Sequence, residues 1–359
     1  MMKNFALALA LISTLQASSQ SSSAANFNKI YAFALQENIT KALHHLDTLA
    51  SDQLTEEQKV IREKFYRRFK QQDEQPSYST TDSTLIPLLL HYQDYWRKTL
   101  LNPQQAADYE KQLKEAIGQY LSVQQYQNDG SVQGDVVNNF TQHLKHFLKQ
   151  KGYYAATGKT GGLFDLLLWP KEVKTVYDVK LPKGRAATTV VFIENTISLG
   201  WEEYATFGRN YPGGWATTEM LYCVRKAYDT TSENFKVSYL KHEGQHFADY
   251  KSFPKLTGAD LEYRAKLTEL YYADKTLYDV IRTFTRNANK EGRNAHAFGN
   301  YCVIRDLSRH FFQQEFVTDM EQWKMIPARR LHKASKRLLQ AHTKGLKKAG
   351  AQTVREYIQ

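Results

Sequence analysis

His242-Glu243-Gly244-Gln245-His246 lies within an apolar-periodic stretch running from Ser232 to about Tyr250. Ser232 offers a hydroxyl N-cap, and Phe235, Val237, Leu240 and Phe247 supply apolar residues, so the stretch is expected to be a helix. Histidines four apart project from one helical face, one turn apart, where both imidazoles reach a single metal ion. Glu243 sits beside that ion, placed to take a proton from a bound water. Zn2+ is the expected metal, because it lowers the pKa of such a water toward ~7. Gly244 is the awkward member, since glycine in a helix interior costs about 1 kcal/mol against alanine. Close packing against a neighbour or a substrate is therefore expected at that position.

A catalytic zinc takes three protein ligands and keeps one position for water. After a turn around Pro254 to Gly258, the run Asp260 to Ala273 reads as a second helix. Glu262, sixteen residues after His246, is placed to complete the site. Glu269, two turns further along the same face, is the alternate ligand or the carboxylate that accepts a ligating histidine's outer N–H. A tetrahedral oxyanion also needs a donor beyond the metal. Arg293, His296, Tyr301 and Tyr271 are candidates, and His296 is the one expected to serve.

His242, Glu243, His246 and Glu262, with Ala265 three residues after the glutamate, resemble the gluzincin group of zinc metallopeptidases. The resemblance spans roughly Thr217 to Ala273 and departs from the longer consensus at Lys241 and Gly244. It implies a zincin-like catalytic half with a small sheet, and Zn2+ held by His242, His246 and Glu262. It also implies Glu243 as general base in peptide-bond hydrolysis, with a peptide or protein substrate. Neighbouring classes fall away. Metzincins want a third histidine where Ser252 stands, and Cys223 and Cys302 are too far apart for a zinc finger. Gly213-Gly214-Trp215-Ala216-Thr217-Thr218-Glu219 lacks the methionine and asparagine of the exopeptidase element, which favours an endopeptidase over an aminopeptidase.

The expected class is α+β, mainly helical. Residues 26–151 read as all-helical: Phe33 to Leu49, Thr55 to Phe69 behind a capping box, Leu85 to Leu101, a helix opened by Asn102-Pro103, and Val136 to Gln150. The catalytic half is expected over 152–325. In it, Thr175 to Leu181 and Ala187 to Glu194 read as a hairpin, and Trp215 to Val224 as one further strand. Thr157-Gly158-Lys159-Thr160 imitates a phosphate-binding loop, but the glycine spacing is wrong and no buried strand precedes it.

Residues 1–17 read as a secretory signal peptide, with a flexible leader to 25, so export to the periplasm or the medium is expected. The net charge of +11 comes largely from the end of the chain. No Asp or Glu lies between Trp323 and Arg355, while Lys324, Arg329, Arg330, Lys333, Lys336, Arg337, Lys344, Lys347, Lys348 and Arg355 are basic. Residues 326–359 read as a basic amphipathic helix, with Leu331, Ala334, Leu338 and Ala341 on its apolar side. Such a helix can lie on an anionic envelope surface, and the alternative function is a non-catalytic envelope-binding protein built on it and the helical region. Basic-aromatic interleaving is absent, so nucleic acid is not an expected partner.

Overall fold

A computed structural model describes residues 22–74, 79–217, 219–291 and 294–358. The class is α+β and mainly helical, with two small sheets of three and four strands. The chain divides into two compact units. One runs to Lys171 and includes Ile193–Pro212; the other comprises Glu172–Phe192 and everything from Gly213 onward. The signal peptide of 1–17 lies outside the described residues, and helix α1 (Ser22–Leu35) takes in the last four positions of the expected leader.

In the first unit, α1 is followed by α2 (Ile39–Asp47), α3 (Glu56–Phe65), α4 (Leu85–Leu101), α5 (Ala106–Val123) and α6 (Phe140–Gln150). The single helix expected over Phe33 to Leu49 is two. Glu37 adopts a left-handed φ of 59°, and the Asn38 side chain then caps α2 by accepting from the Lys41 N–H. The capping box at Thr55 is formed in both directions, by Gln58 N to Thr55 Oγ1 at 3.2 Å and Thr55 N to Gln58 Oε1 at 3.0 Å. Strands β1 (Tyr154–Thr160) and β2 (Leu163–Trp169) pair antiparallel, so the phosphate-loop lookalike is plain strand. This hairpin belongs to the helical unit, where the sequence pattern gives no strand. Its second strand, Leu-Phe-Asp-Leu-Leu-Leu-Trp, is apolar on both faces because both are covered.

Strands β3 (Lys171–Lys180) and β4 (Arg185–Glu194) follow, then β5 (Ser198–Leu199) beside β2 and the short α7 (Trp201–Ala205) of the first unit. The second unit continues with β6 (Gly214–Ala216), β7 (Met220–Val224), α8 (Leu240–Ser252), α9 (Gly258–Tyr272), α10 (Leu277–Arg286), α11 (Ala295–Phe312), α12 (Met320–Lys324) and α13 (Ala328–Gly350). Its sheet has the order β3-β4-β7-β6. The β3–β4 hairpin is the expected one. The single strand expected over Trp215 to Val224 is instead a tight hairpin, with Trp215 opposite Tyr222. Thr217 makes the turn, its hydroxyl accepting from Met220 N at 3.0 Å.

The C-terminal helix is not a separate module. Leu331, Ala334 and Leu339 lie in one core with residues of α9, α10 and α11. Ser335, His342 and Leu346 also face inward and Leu338 packs partly buried against the same core, while Ala341, expected on the apolar side, is exposed. Cys223 and Cys302 are free buried thiols. Among the described residues, no helix is long and apolar enough to cross a membrane.

Two buried carboxyls make the first unit sensitive to pH. Asp165 accepts from the backbone N–H of Leu166 and Trp201, and burial pushes its carboxyl up to about 7. Glu202 leaves Oε2 without a partner, and burial, with the charge of Asp165, pushes it up to about 8. A raised folded pKa means that the native state holds the proton longer, so this contribution is complete below the unfolded value. It is lost as pH rises through about 8, each tenfold difference in proton affinity between the folded and unfolded chain being worth ~1.4 kcal/mol. Glu202→Gln should therefore melt higher than the parent at pH 9 and little differently at pH 5, as read by circular dichroism. An equal difference at both pH values would refute this.

Candidate metal centre

The helix carrying the two histidines starts where expected. Ser232 Oγ accepts from Phe235 N at 3.1 Å, and after a wider π-type turn over Asn234–Tyr239 the chain settles into α8. Gly244 meets β3: a Cβ there would stand 3.1 Å from Val179 Cγ1, which is the close packing the sequence demanded. His242 and His246 present their Nε2 atoms to one another at 3.2 Å. Glu262, on α9, places Oε1 3.3 Å from His246 Nε2 and Oε2 3.6 Å from His242 Nε2. Ligand atoms about 2.0–2.1 Å from a tetrahedral Zn2+ stand about 3.3 Å from one another, so these separations suit such an ion. Among the described residues, this is the one His/Cys/Asp/Glu group close enough to share a metal.

The chemistry of the pocket also suits a divalent cation. Two facing imidazole nitrogens share at most one proton. Both oxygens of Glu243 and Nδ1 of His246 are buried without hydrogen-bond partners. The Glu262 oxygens have ion-pair neighbours but no well-directed hydrogen bond. Buried polar groups rarely stay unsatisfied. Glu243, Glu262 and Glu269 set three buried carboxylates against the single ammonium of Lys266. With all four ionised, two negative charges remain for a dication to neutralise.

The surroundings separate the roles of the carboxylates. Glu269 Oε2 lies 3.3 Å from His242 Nδ1, on the far side of the ring from Glu262. It accepts the outer N–H and turns Nε2 toward Glu262 and His246, so Glu262 is the carboxylate placed to share an ion with the histidines, and Glu269 supports His242. Burial raises the Glu243 carboxyl to about 7. Burial would also raise Glu262, but His296, Lys266 and His246 outweigh it and hold Glu262 well below the usual range. Burial lowers His242; in His246 the contact with Glu262 outweighs burial and raises it.

The other expected donors are dispersed. His296 Nδ1 lies 2.8 Å from Glu262 Oε2, so that nitrogen is engaged by Glu262. Tyr301 stacks on Phe298 and Phe316, and Tyr271 packs edge-on to Tyr272. Arg293 lies outside the described residues. Lys266 joins the centre without having been among the expected residues, although its i+4 spacing from Glu262 is a readable signal. It is only 6% exposed, with Nζ 3.4 Å from Glu262 Oε2.

A buried network fixes α8 against α9. Arg264 donates from Nε and Nη2 to the two oxygens of Asp249, at 2.8 and 2.9 Å. Gln245 donates to Asp249 and accepts from Thr268. Behind them Arg264 also donates to Thr343 and to His342 Nδ1, and His342 Nε2 donates to Asp260 at 2.8 Å.

No protein-family model, curated protein or solved structure matches the chain.

Elemental analysis of the purified protein should find about one zinc per chain, and His246→Ala should carry little. Chelation should lower the melting temperature of the parent and leave that variant unmoved, because a ligand that binds only the folded state stabilises it by mass action. Equal metal content in both proteins would defeat the assignment.

Proposed function

We propose that this chain is a zinc-dependent metallopeptidase of the gluzincin type, acting within polypeptides. His242, His246 and Glu262 hold Zn2+, and Glu243 is the general base. The observation that carries this reading is Glu243 itself. It lies between the two histidines, with both oxygens buried and unpartnered. A carboxylate held there without a partner is placed to take a proton from a water at the metal and return it. Bound by these three residues, Zn2+ would supply a water of lowered pKa and a Lewis acid for the carbonyl oxygen. Glu243 accepts the proton from the attacking water and delivers it to the departing amine. Glu269 keeps the His242 ring in its orientation throughout. Strand β6 is an edge of the sheet and packs against α8, which suits an extended peptide backbone as substrate.

Glu243→Gln should retain zinc and lose about 10²- to 10⁴-fold of its hydrolysis of unfolded protein or quenched fluorescent peptides. A Gln variant that holds zinc and keeps full activity would remove Glu243 from the role.

The signal-like N-terminus supports export to the periplasm or the medium. The surface-binding alternative draws on the helical region and the basic C-terminal helix, whose apolar side packs Leu331, Ala334 and Leu339 into the core. The outward face of α13 still carries Arg329, Arg330, Lys333, Arg337, Lys344, Lys347 and Lys348. An anionic envelope surface suits this face. Co-sedimentation with vesicles rich in anionic lipid, weakening as salt rises and on charge reversal of Lys344, Lys347 and Lys348, is the expected behaviour. Equal recovery on neutral vesicles would contradict it.

A further inference from the structure

Resting on the metal reading above, we infer that the first turns of α11 form a buttress for Glu262, with His296 as a positioning residue for the ligand rather than a donor to the reacting carbonyl. Two independent contacts carry the inference. His296 Nδ1 stands 2.8 Å from Glu262 Oε2, while the other oxygen, Oε1, faces His246 Nε2 at 3.3 Å. Oε2 thus meets His296 at 2.8 Å and His242 Nε2 at 3.6 Å, so the imidazole of α11 bears directly on the orientation of the carboxylate. Three residues along the same face, Gly299 lets α11 approach α9 at this very residue: a Cβ on Gly299 would come within 2.7 Å of Glu262 Cβ.

A glycine inside an eighteen-residue helix, here in its second turn, is otherwise unfavourable by about 1 kcal/mol, so its place opposite Glu262 has a specific use. Asn294 sets the start of α11, its Oδ1 accepting from Ala297 N at 3.0 Å, and this fixes where His296 begins its reach. Lys266, one turn beyond Glu262 on α9, approaches the same Oε2 at 3.4 Å and adds positive charge on the outer side. A carboxylate approached in this way is restrained in its orientation toward the two histidines. Partners that orient a metal ligand typically change metal affinity about 10- to 100-fold when removed.

The test compares the full chain with His296→Leu, His296→Asn and Gly299→Ala. Asparagine keeps an N–H donor at the position of Nδ1; leucine removes it. Zinc dissociation constants are measured by chelator competition, and the Co2+-substituted proteins are compared by visible absorption, which reports the ligand geometry. Circular dichroism melts establish that each variant is folded. His296→Leu should weaken zinc about 10- to 100-fold and shift the cobalt spectrum, with His296→Asn staying within about threefold of the parent. Gly299→Ala should perturb the same spectrum with His296 in place.

A leucine variant with the parent's zinc affinity and cobalt spectrum overturns the buttress, and more so if its hydrolysis alone falls, which would return His296 to the carbonyl. An asparagine variant as impaired as leucine overturns it also, because the donor would then not matter. A parent that binds no zinc is a different failure: it removes the metal reading itself, and this inference with it.

Discussion

The second unit depends on holding α8 and α9 in one register, and the buried pair Asp249–Arg264 does this. The bidentate geometry matters, because two parallel hydrogen bonds fix both the separation and the rotation of the helices. Two charges taken out of water are costly, and breaking such a pair from one side typically costs about 3–5 kcal/mol. Asp249 lies three residues after His246, and Arg264 two after Glu262, so the same link that joins the helices brings the imidazoles opposite the carboxylate. Gln245 and Thr268 repeat the link a turn away, and Gly244 lets β3 close on the other side of α8.

From this follows the unusual character of α9. Asp260, Glu262, Arg264, Lys266 and Glu269 are all buried, although five charges within ten residues ordinarily mark a solvated helix. Each has its own partner in a different direction. Asp260 accepts from His342 and from the backbone N–H groups of Tyr357 and Ile358. Arg264 meets Asp249, Glu269 meets His242, and Lys266 and His296 meet Glu262. The helix is surrounded by α8, α11 and α13, and its charges are tolerated because they are paired. Of the carboxylates at the metal centre, the one with both oxygens unpartnered and no ion pair is Glu243, on the neighbouring helix, beside the two histidines.

Integration of α13 also changes the meaning of the net charge. Its cations point outward while Ser335 and His342 join the buried face, so the helix is part of the core and still offers a basic surface. Hydrophobic periodicity alone does not find that stripe, because two of its inward positions are polar, and the imidazole of His342 is satisfied only by groups on α9. The same limit hides the β1–β2 hairpin. Its second strand is an apolar run without alternation, which periodicity does not separate from a short buried helix.

Local spacing in the chain was enough for several features. The two histidines share a helical face with Glu243 between them, Thr55 and Gln58 cap one another, and Lys171 to Glu194 folds as a hairpin, because each involves residues close together along the chain. Glu262 and Glu269 both qualify as carboxylates within reach of the imidazoles, since both fall on one face of the next helix. Tertiary structure decided between them. The crossing of α8 and α9 places Glu262 at the Nε2 side and Glu269 at the Nδ1 side, and that crossing is held by Asp249–Arg264 and Gln245–Thr268. The engagement of His296 with Glu262, the burial of Lys266 and the inward turn of His342 arise the same way. Each is a contact between side chains brought together only when separate helices pack, and sequence distance carries no information about helix rotation.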